Sequence, residues 1–268
     1  MLHILSPENK RLVWYLAMEE YIAQHISDNK LGDVPDSDST LSLRGQGESE
    51  SVFFSWIVSP TVIFGRHQVM EDEVNLPFCR EHGVATYRRK SGGGCVYADR
   101  GNLMLSYITP DTHSEQVFQR YLDMMSEALR GLGFPAVKSE HNDILIDGHK
   151  VSGNACYALP TGTIVHGTLL YNVDFGALQQ AITPSKEKLA KHGVQSVRQR
   201  VGNLVDLRNE IPNFAEHTNA AAMQSIENIA AYFGNTLCNH ARNLTPEEIA
   251  GIDAIEQTYL DPAFIAGK

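Results

Sequence analysis

The sequence has no apolar run approaching the roughly 20 residues that cross a bilayer, no Cys-x-x-Cys pair and an excess of acid over base. Each lack excludes a class. Without a long apolar run there is no membrane-spanning helix. Cys79, Cys95, Cys156 and Cys238 are too scattered for a disulfide framework or a structural zinc site, so reduced thiols are expected. Lys and Arg number 22 against 32 Asp and Glu, a formal net charge of −10, which is the wrong sign for a protein that tracks nucleic-acid phosphates. Met1 to Lys10 show no basic stretch ahead of an apolar one; no secretory leader is expected, and the cytoplasm is the default location. His-Glu-x-x-His and Gly-x-Ser-x-Gly are missing, as are the Rossmann and Walker glycine spacings, so the common metalloprotease, hydrolase and nucleotide-loop templates fail. What is present suits a packed globular protein: 268 residues, 43% hydrophobic and 20% charged, long enough for one large domain or two small ones.

Local patterns give a coarse plan. Ser6-Pro7-Glu8 looks like a cap, a proline at the first helical position and an acid in the first turn, which predicts a helix over 7–26. Residues 27–51 are polar and rich in Gly, Ser and Asp, a surface loop by composition. Strands are expected at 52–58, 61–64, 95–98, 103–108, 135–139, 142–147, 149–157 and 163–171, with a hairpin centred on Asp147-Gly148. Helices are expected at 113–131, 174–182, 186–191 and 217–233, and after Thr245-Pro246-Glu247-Glu248, which is a capping box. Strand signals fade after Val201, leaving a helical part over 205–268. Grouped strands with packed helices point to an α+β fold with mixed or antiparallel sheets rather than a doubly wound parallel one.

Three stretches can carry chemistry. In Arg88-Arg89-Lys90-Ser91-Gly92-Gly93-Gly94-Cys95-Val96-Tyr97, three glycines permit close backbone approach and positive φ, while the flanking cations offer charge to a phosphate or carboxylate; a flexible turn is the alternative. Asn142-Asp143 precedes Lys150-Val151-Ser152-Gly153-Asn154 across the hairpin. A carboxylate there can share magnesium, a lysine can neutralise a phosphoryl group, and simple alternation puts Lys150, Ser152 and Asn154 on one side; a solvated hairpin is the alternative. His166-Gly167-Thr168 lies in an apolar strand, where a hydrogen-bonded core histidine competes with a catalytic one. Cys95 and Cys156 lie near these motifs, but nothing in the sequence supplies an activating partner.

Taken in order, these motifs resemble the lipoate–protein ligase A family, within the biotin/lipoate ligase and octanoyltransferase superfamily. The resemblance runs through Gly65-Arg-His-Gln68, Glu73-Val-Asn75, Arg88-Arg89-x-Ser91-Gly-Gly-Gly94, Asp99-x-Gly101-Asn102, Asn142-Asp143, Gly148-x-Lys150-Val-Ser152-Gly153-Asn-Ala155, His166-Gly-Thr-Leu-Leu170 and Ser196-Val-Arg198-x-Arg200-Val-x-Asn203-Leu204. It implies a biotin/lipoate ligase-like catalytic domain, here a single domain over 1–268, that joins lipoate to ATP as lipoyl-AMP and transfers the lipoyl group to a lysine. It further implies Lys150 as the catalytic residue. Arg89, Ser91, Gly92, Gly93, Gly94, Cys95, Val96, Tyr97, Asn102, Asn142, Asp143, Ser152, Gly153, His166, Gly167 and Thr168 would line the adenylate, with Asp143 sharing Mg2+. The implied partners are lipoyl-acceptor domains of 2-oxoacid dehydrogenase complexes or a glycine-cleavage-type H protein.

The chain departs from the family pattern in places. Cys156-Tyr157-Ala158 stands where an aromatic and an Arg are usual, and Val165-His166 replaces a histidine pair. Ser185 occupies the place of one octanoyltransferase cysteine, and Glu140-His141-Asn142-Asp143 lacks the other, which disfavours an acyl-cysteine transferase. No accessory domain is expected after Lys268, so a separate accessory chain is the alternative to autonomous activation, as is a transferase lacking the activation step. A non-catalytic module binding a lipoylated protein is the remaining reading.

Overall fold

The computed structural model describes residues 1–26, 50–182, 201–211, 214 and 221–267. Residues 27–49 of the loop expected over 27–51, the helix expected at 186–191, Ser185 and the Ser196–Arg200 part of the last motif lie outside the described residues.

Two sheets organise these residues. The large one contains β1 (Leu2–Leu5), β2 (Val52–Trp56), β6 (Asn102–Thr109), β7 (Ala136–Lys138), β8 (Asp143–Ile146), β9 (His149–Leu159), β10 (Gly162–Leu170) and β11 (His240–Asn243), in the order β11-β1-β2-β6-β10-β9-β8-β7. The small sheet contains β3 (Thr61–Phe64), β4 (Ala85–Arg88) and β5 (Val96–Ala98), in the order β4-β3-β5. Parallel pairing of β1 with β2 and β11 beside antiparallel pairing elsewhere makes the large sheet mixed. The α+β class is as expected. The Asp147-Gly148 hairpin is also found: both residues take positive φ, +47° and +80°, which a two-residue type I′ turn requires.

Helices cover both faces of the large sheet, so all eight residues of β6 are buried. Helix α1 (Leu12–His25) packs on one face with Ile4, Phe54, Trp56, Met104, Ile108 and Ile164. Short helices α2 (Met70–Glu73) and α3 (Leu76–Glu81) follow β3. Helix α4 (Ser114–Gly131) covers the opposite face, where Tyr121, Leu122, Met125 and Leu129 meet Phe53, Leu103, Leu105, Val165 and Leu169. Period-2 alternation along β2 and β6 divides these two cores. Helix α5 (Phe175–Ala181) starts at Asp174, whose side chain accepts from Ala177 N. Helix α6 (Leu204–Leu207) is one turn. Helix α7 (Ile226–Leu237) joins α4, and α8 (Pro246–Leu260) lays Ile252 and Tyr259 into the α1 core before α9 (Pro262–Ala266).

Several expectations fail because contacts distant in sequence override the local signal. The first helix begins at Leu12, not 7, because Ser6 Oγ is committed to Ser55 O at 2.6 Å, Pro7 O accepts from Tyr15 OH at 2.6 Å, and Asn9 is left-handed at φ +60°. Of the helix expected at 217–233, residues 217–220 lie outside the described residues, and the described part is α-helical from Ile226, after the Ser225 cap, to Leu237. Strand β11 interrupts the all-helical C-terminal part; a four-residue edge strand exposed at three positions carries no alternating signal. The Thr245 capping box forms, with Glu248 N donating to Thr245 Oγ1 and Thr245 N to Glu248 Oε2.

Candidate active site

The glycine loop links β4 to β5 and is held from inside by arginines. Arg89 donates to the carbonyls of Gly92 (2.7 and 3.1 Å), Gly94 (2.7 Å) and Ile63 (3.3 Å). Arg88 donates to Gly65 O (3.3 Å), Arg66 O (2.6 Å), Gln68 O (2.9 Å) and Ile265 O (3.1 Å). Lys90 pairs with Glu20 at 2.7 Å over the Tyr259 ring. The flanking cations therefore do not offer their charge outward as the sequence suggested: a loop rich in carbonyls without side chains needs buried donors, and the arginines fill that need. Burial pushes the Arg89 guanidinium down to about 10, which leaves it charged at neutral pH. Gly92, Gly93 and Gly94 remain exposed, with Gly93 at φ +96°. A Cβ on Gly65 would lie 2.3 Å from Gly93 O, so that glycine lets the loop fold back over the Gly65–Gln68 turn.

A β-bulge places Lys150. Ile144 pairs with Ser152 and Leu145 with Lys150, which leaves Val151 extra on β9. Val151 then joins Ile144 in the α4-side core, while Lys150 is thrown to the other face, where its Nζ lies 2.7 Å from Asp143 Oδ1. Simple alternation over Lys150, Ser152 and Asn154 is thus broken. Ser152 is 1% exposed and donates to Asn154 Oδ1 at 3.2 Å on the side away from Lys150, which corrects its expected place along a ligand. Gly153 is opposite Asp143, and a Cβ there would sit 2.7 Å from Lys150 Nζ; glycine lets the lysine lie across the strand. Asn142 Nδ2 donates to Asn154 O and Asn154 Nδ2 to Asn142 O, both at 2.9 Å, fixing the start of the hairpin.

Directly paired residues share a face. Through Met104↔Thr168, Ser106↔His166, His166↔Ala155 and Asp143↔Gly153, one face of the large sheet carries Asn102, Met104, His166, Thr168, Gly153, Asp143 and Lys150. Thr168 Oγ1 accepts from Gly153 N at 3.1 Å. Gly167 points the other way, where a Cβ would meet Asn154 Oδ1 at 2.0 Å; its smallness serves the α4-side core, not a ligand. Tyr97 on β5 and Cys95 just before it pack in the small-sheet core and Val96 against the α1 core, so their side chains do not share one face. Asn102 is fully buried, yet neither amide atom has a hydrogen-bond partner among the described residues. Such an orphaned pair is costly and marks a group made to meet a ligand or water.

The loop and this face meet at Ser91. Ser91 Oγ lies 2.9 Å from His166 Nε2, and His166 Nδ1 lies 2.9 Å from Glu19 Oε2 on α1. Sequence reasoning missed Glu19; its signal is an acid pair, Glu19-Glu20, inside an otherwise apolar helix.

The Asp99-x-Gly101-Asn102 motif is a brace. Asp99 accepts from Gly101 N at 2.8 Å and Asp174 N at 3.0 Å, and Gly101 O accepts from Tyr171 N and Asn172 N. A Cβ on Gly101 would stand 1.9 Å from Asn172 O. Gly101→Ala is therefore expected to destabilise the fold by about 3 kcal/mol, seen as a lower urea midpoint. An open depression of about 480 Å³ lined by Tyr97, Asp99, Arg100 and Asp174 contains none of Lys150, Asp143, Ser91 or His166, so volume alone does not find the site. Burial pushes the Cys156 and Cys238 thiols up to about 11 and raises Cys79 as well, so none of these three is a ready thiolate. No helix among the described residues is long and apolar enough to cross a membrane.

Comparison with known proteins gives the family and the fold. Residues 13–226 match the lipoyl protein ligase A/B catalytic domain. Over 196 residues the chain is 35% identical to lipoate–protein ligase 1 of Staphylococcus aureus, covering 73% of this chain and 54% of that protein. It is 33% identical to lipoate-protein ligase LplJ of Bacillus subtilis over the same length, covering 73% and 53%. The chain thus spans about half the length of the curated relatives it matches. Among solved structures, the bipartite lipoate protein ligase from Thermoplasma acidophilum, described with its E2 lipoyl domain, superposes with a TM-score of 0.74 at 23% identity over 99% of this chain and 95% of that one. A lipoate-protein ligase A bound with ATP gives 0.72 at 22% identity over 99% and 98%. These likenesses carry the fold, and the family match carries membership: the chain belongs to the lipoyl protein ligase A/B catalytic domain family.

Proposed function

We propose that this chain is a lipoate–protein ligase acting as one catalytic unit, and that Lys150 is its catalytic residue. The observation that supports this most is the bulge at Val151, which delivers an ammonium onto the face shared with Asp143, Thr168, His166 and the orphaned Asn102. In the first step the lipoate carboxylate attacks the α-phosphorus of ATP, forming the acyl–phosphate bond as pyrophosphate leaves. In the second, an acceptor lysine amine attacks the acyl carbonyl; the amide forms, AMP leaves and the amine loses a proton. Lys150 stabilises negative charge on the α-phosphate and then on the carbonyl oxygen, charge that is greatest in each transition state. The exposed glycines let a nucleotide approach the backbone closely, and Asn102 supplies an amide donor and acceptor.

Among the described residues no three metal-ligating side chains cluster, so Mg2+ would come with the nucleotide, taking most of its oxygens from phosphate and water and sharing Asp143. The acceptors would be lipoyl domains such as those of 2-oxoacid dehydrogenases, or an H-type protein, in the cytoplasm. The bipartite composition of the T. acidophilum ligase favours a second reading, in which activation requires a separate accessory chain. Lipoate-dependent ATP–pyrophosphate exchange tests both points. Exchange by the isolated chain is the expected result and rejects the second reading, exchange only with an added accessory chain supports it, and none in either case overturns the ligase reading.

A further inference from the structure

Helix α1 carries a carboxylate where its surroundings are hydrocarbon. Glu19 is 2% exposed, between Met18 and Ile22 of the α1 core. An isolated carboxylate taken out of water is costly, so its partners define its role. Ser106 Oγ donates to Glu19 Oε1 at 2.5 Å, and His166 Nδ1 is 2.9 Å from Oε2.

With Glu19 as carboxylate and His166 as neutral imidazole, donor arithmetic places every hydrogen along this chain of bonds. Trp56 Nε1 can only donate, and it lies 2.9 Å from Ser106 Oγ; Ser106 accepts there and gives its own hydrogen to Glu19. An ionised Glu19 has no hydrogen to give, so His166 Nδ1 carries one. A neutral imidazole so arranged has a bare Nε2, the atom 2.9 Å from Ser91 Oγ. Ser91 must then donate to it, which leaves the hydroxyl's lone pairs for the loop and its ligand. We infer that Glu19 is a positioning residue for the adenylation site: it sets the His166 tautomer, and through it pins Ser91, the residue that opens the glycine loop. Three successive glycines lose much conformational freedom on ordering, so a loop of this kind depends on anchors at its ends. Arg89 is the anchor on the small-sheet side, and Ser91–His166 is the tie to the large sheet.

This inference rests on the proposed ligase function, and its test has a readout that does not. Glu19→Gln keeps the size of the side chain. With its oxygen still facing Ser106, its NH2 faces Nδ1 and drives the imidazole hydrogen to Nε2; the reverse orientation would leave the Ser106 hydrogen without an acceptor. Nitrogen-15 NMR of histidine-labelled protein, with His166 assigned by its substitution, is expected to show the Nδ1–H tautomer in wild type and Nε2–H in E19Q. Titration with a non-hydrolysable lipoyl-adenylate analogue is expected to show roughly tenfold weaker binding by E19Q, the scale of one lost hydrogen bond. That weakening should vanish when Ser91→Ala is already present, because the effect passes through Ser91. An unchanged tautomer, or independent effects of E19Q and S91A, overturns the inference. If wild type fails to bind the analogue, the ligase reading falls while the tautomer measurement still decides this one. Should E19Q not fold, Glu19→Asp replaces it in the cycle, its carboxylate one methylene short of Nδ1; coupling to S91A above twofold supports the role and independent effects overturn it.

Discussion

Lys150→Ala is expected to slow lipoate-dependent ATP–pyrophosphate exchange by about 10²–10³-fold, the usual effect of deleting one preorganised charge-stabilising donor. The protein should melt close to wild type. Lys150 keeps 35% of its side chain exposed and Asp143 21%, so solvent screens their ion pair, and its loss is expected to cost no more than about 1 kcal/mol. The loss should appear in kcat, with KM for ATP moving less, because the ammonium meets charge that is largest in the transition state. Lys150→Arg tests position against charge. The lysine lies across Gly153, where even a Cβ would come within 2.7 Å of Nζ, and a broad guanidinium does not fit that track. Arg should therefore recover little activity. Exchange within tenfold of wild type in either variant would remove Lys150 from its catalytic role.

Much of the frame was legible because it is local. The apolar runs of β2, β3, β6 and β10, the Asp147-Gly148 turn and the Thr245 capping box each carry their cause within a few residues. The failures are non-local. Ser6-Pro7-Glu8 has the chemistry of a helix start, but Ser6 is claimed by β2 and Asn9 turns the chain. β1, β4 and β11 are four-residue strands that exist by pairing with distant partners. In the site, motif spacing found Lys150 and Asp143 together but not the bulge that joins them. Ser152 fell on the wrong face for the same reason, since period-2 counting has no way to register one extra residue, and it equally cannot tell a glycine that admits a ligand from Gly167, which admits Asn154. Glu19 could not be found from spacing at all, since its partners lie 87 and 147 residues away.

Arg89 gives the other large effect, and here the structure reverses the natural reading of the sequence. If Arg89 met a phosphate directly, Arg89→Lys would keep the charge and much of the affinity. In the structure the guanidinium instead spans three carbonyls, Gly92, Gly94 and Ile63, and only a planar fork with several fixed donors reaches all three. Arg89→Ala is expected to cost about 4 kcal/mol of stability, since it empties a buried volume and strands those carbonyls without donors. Arg89→Lys should fold but lose at least about 30-fold in affinity for the adenylate analogue, because an ammonium cannot hold Gly92 and Gly94 together and the loop loses its shape. Salt dependence separates the two roles. A cation paired with phosphate would give wild-type binding a salt slope that R89A flattens, whereas a buried staple leaves the slope as it was. Measured across a salt series with folding followed by urea melts, an R89K protein that binds as wild type, or an R89A protein that keeps its stability and loses only affinity, would put the guanidinium on the ligand and overturn the staple.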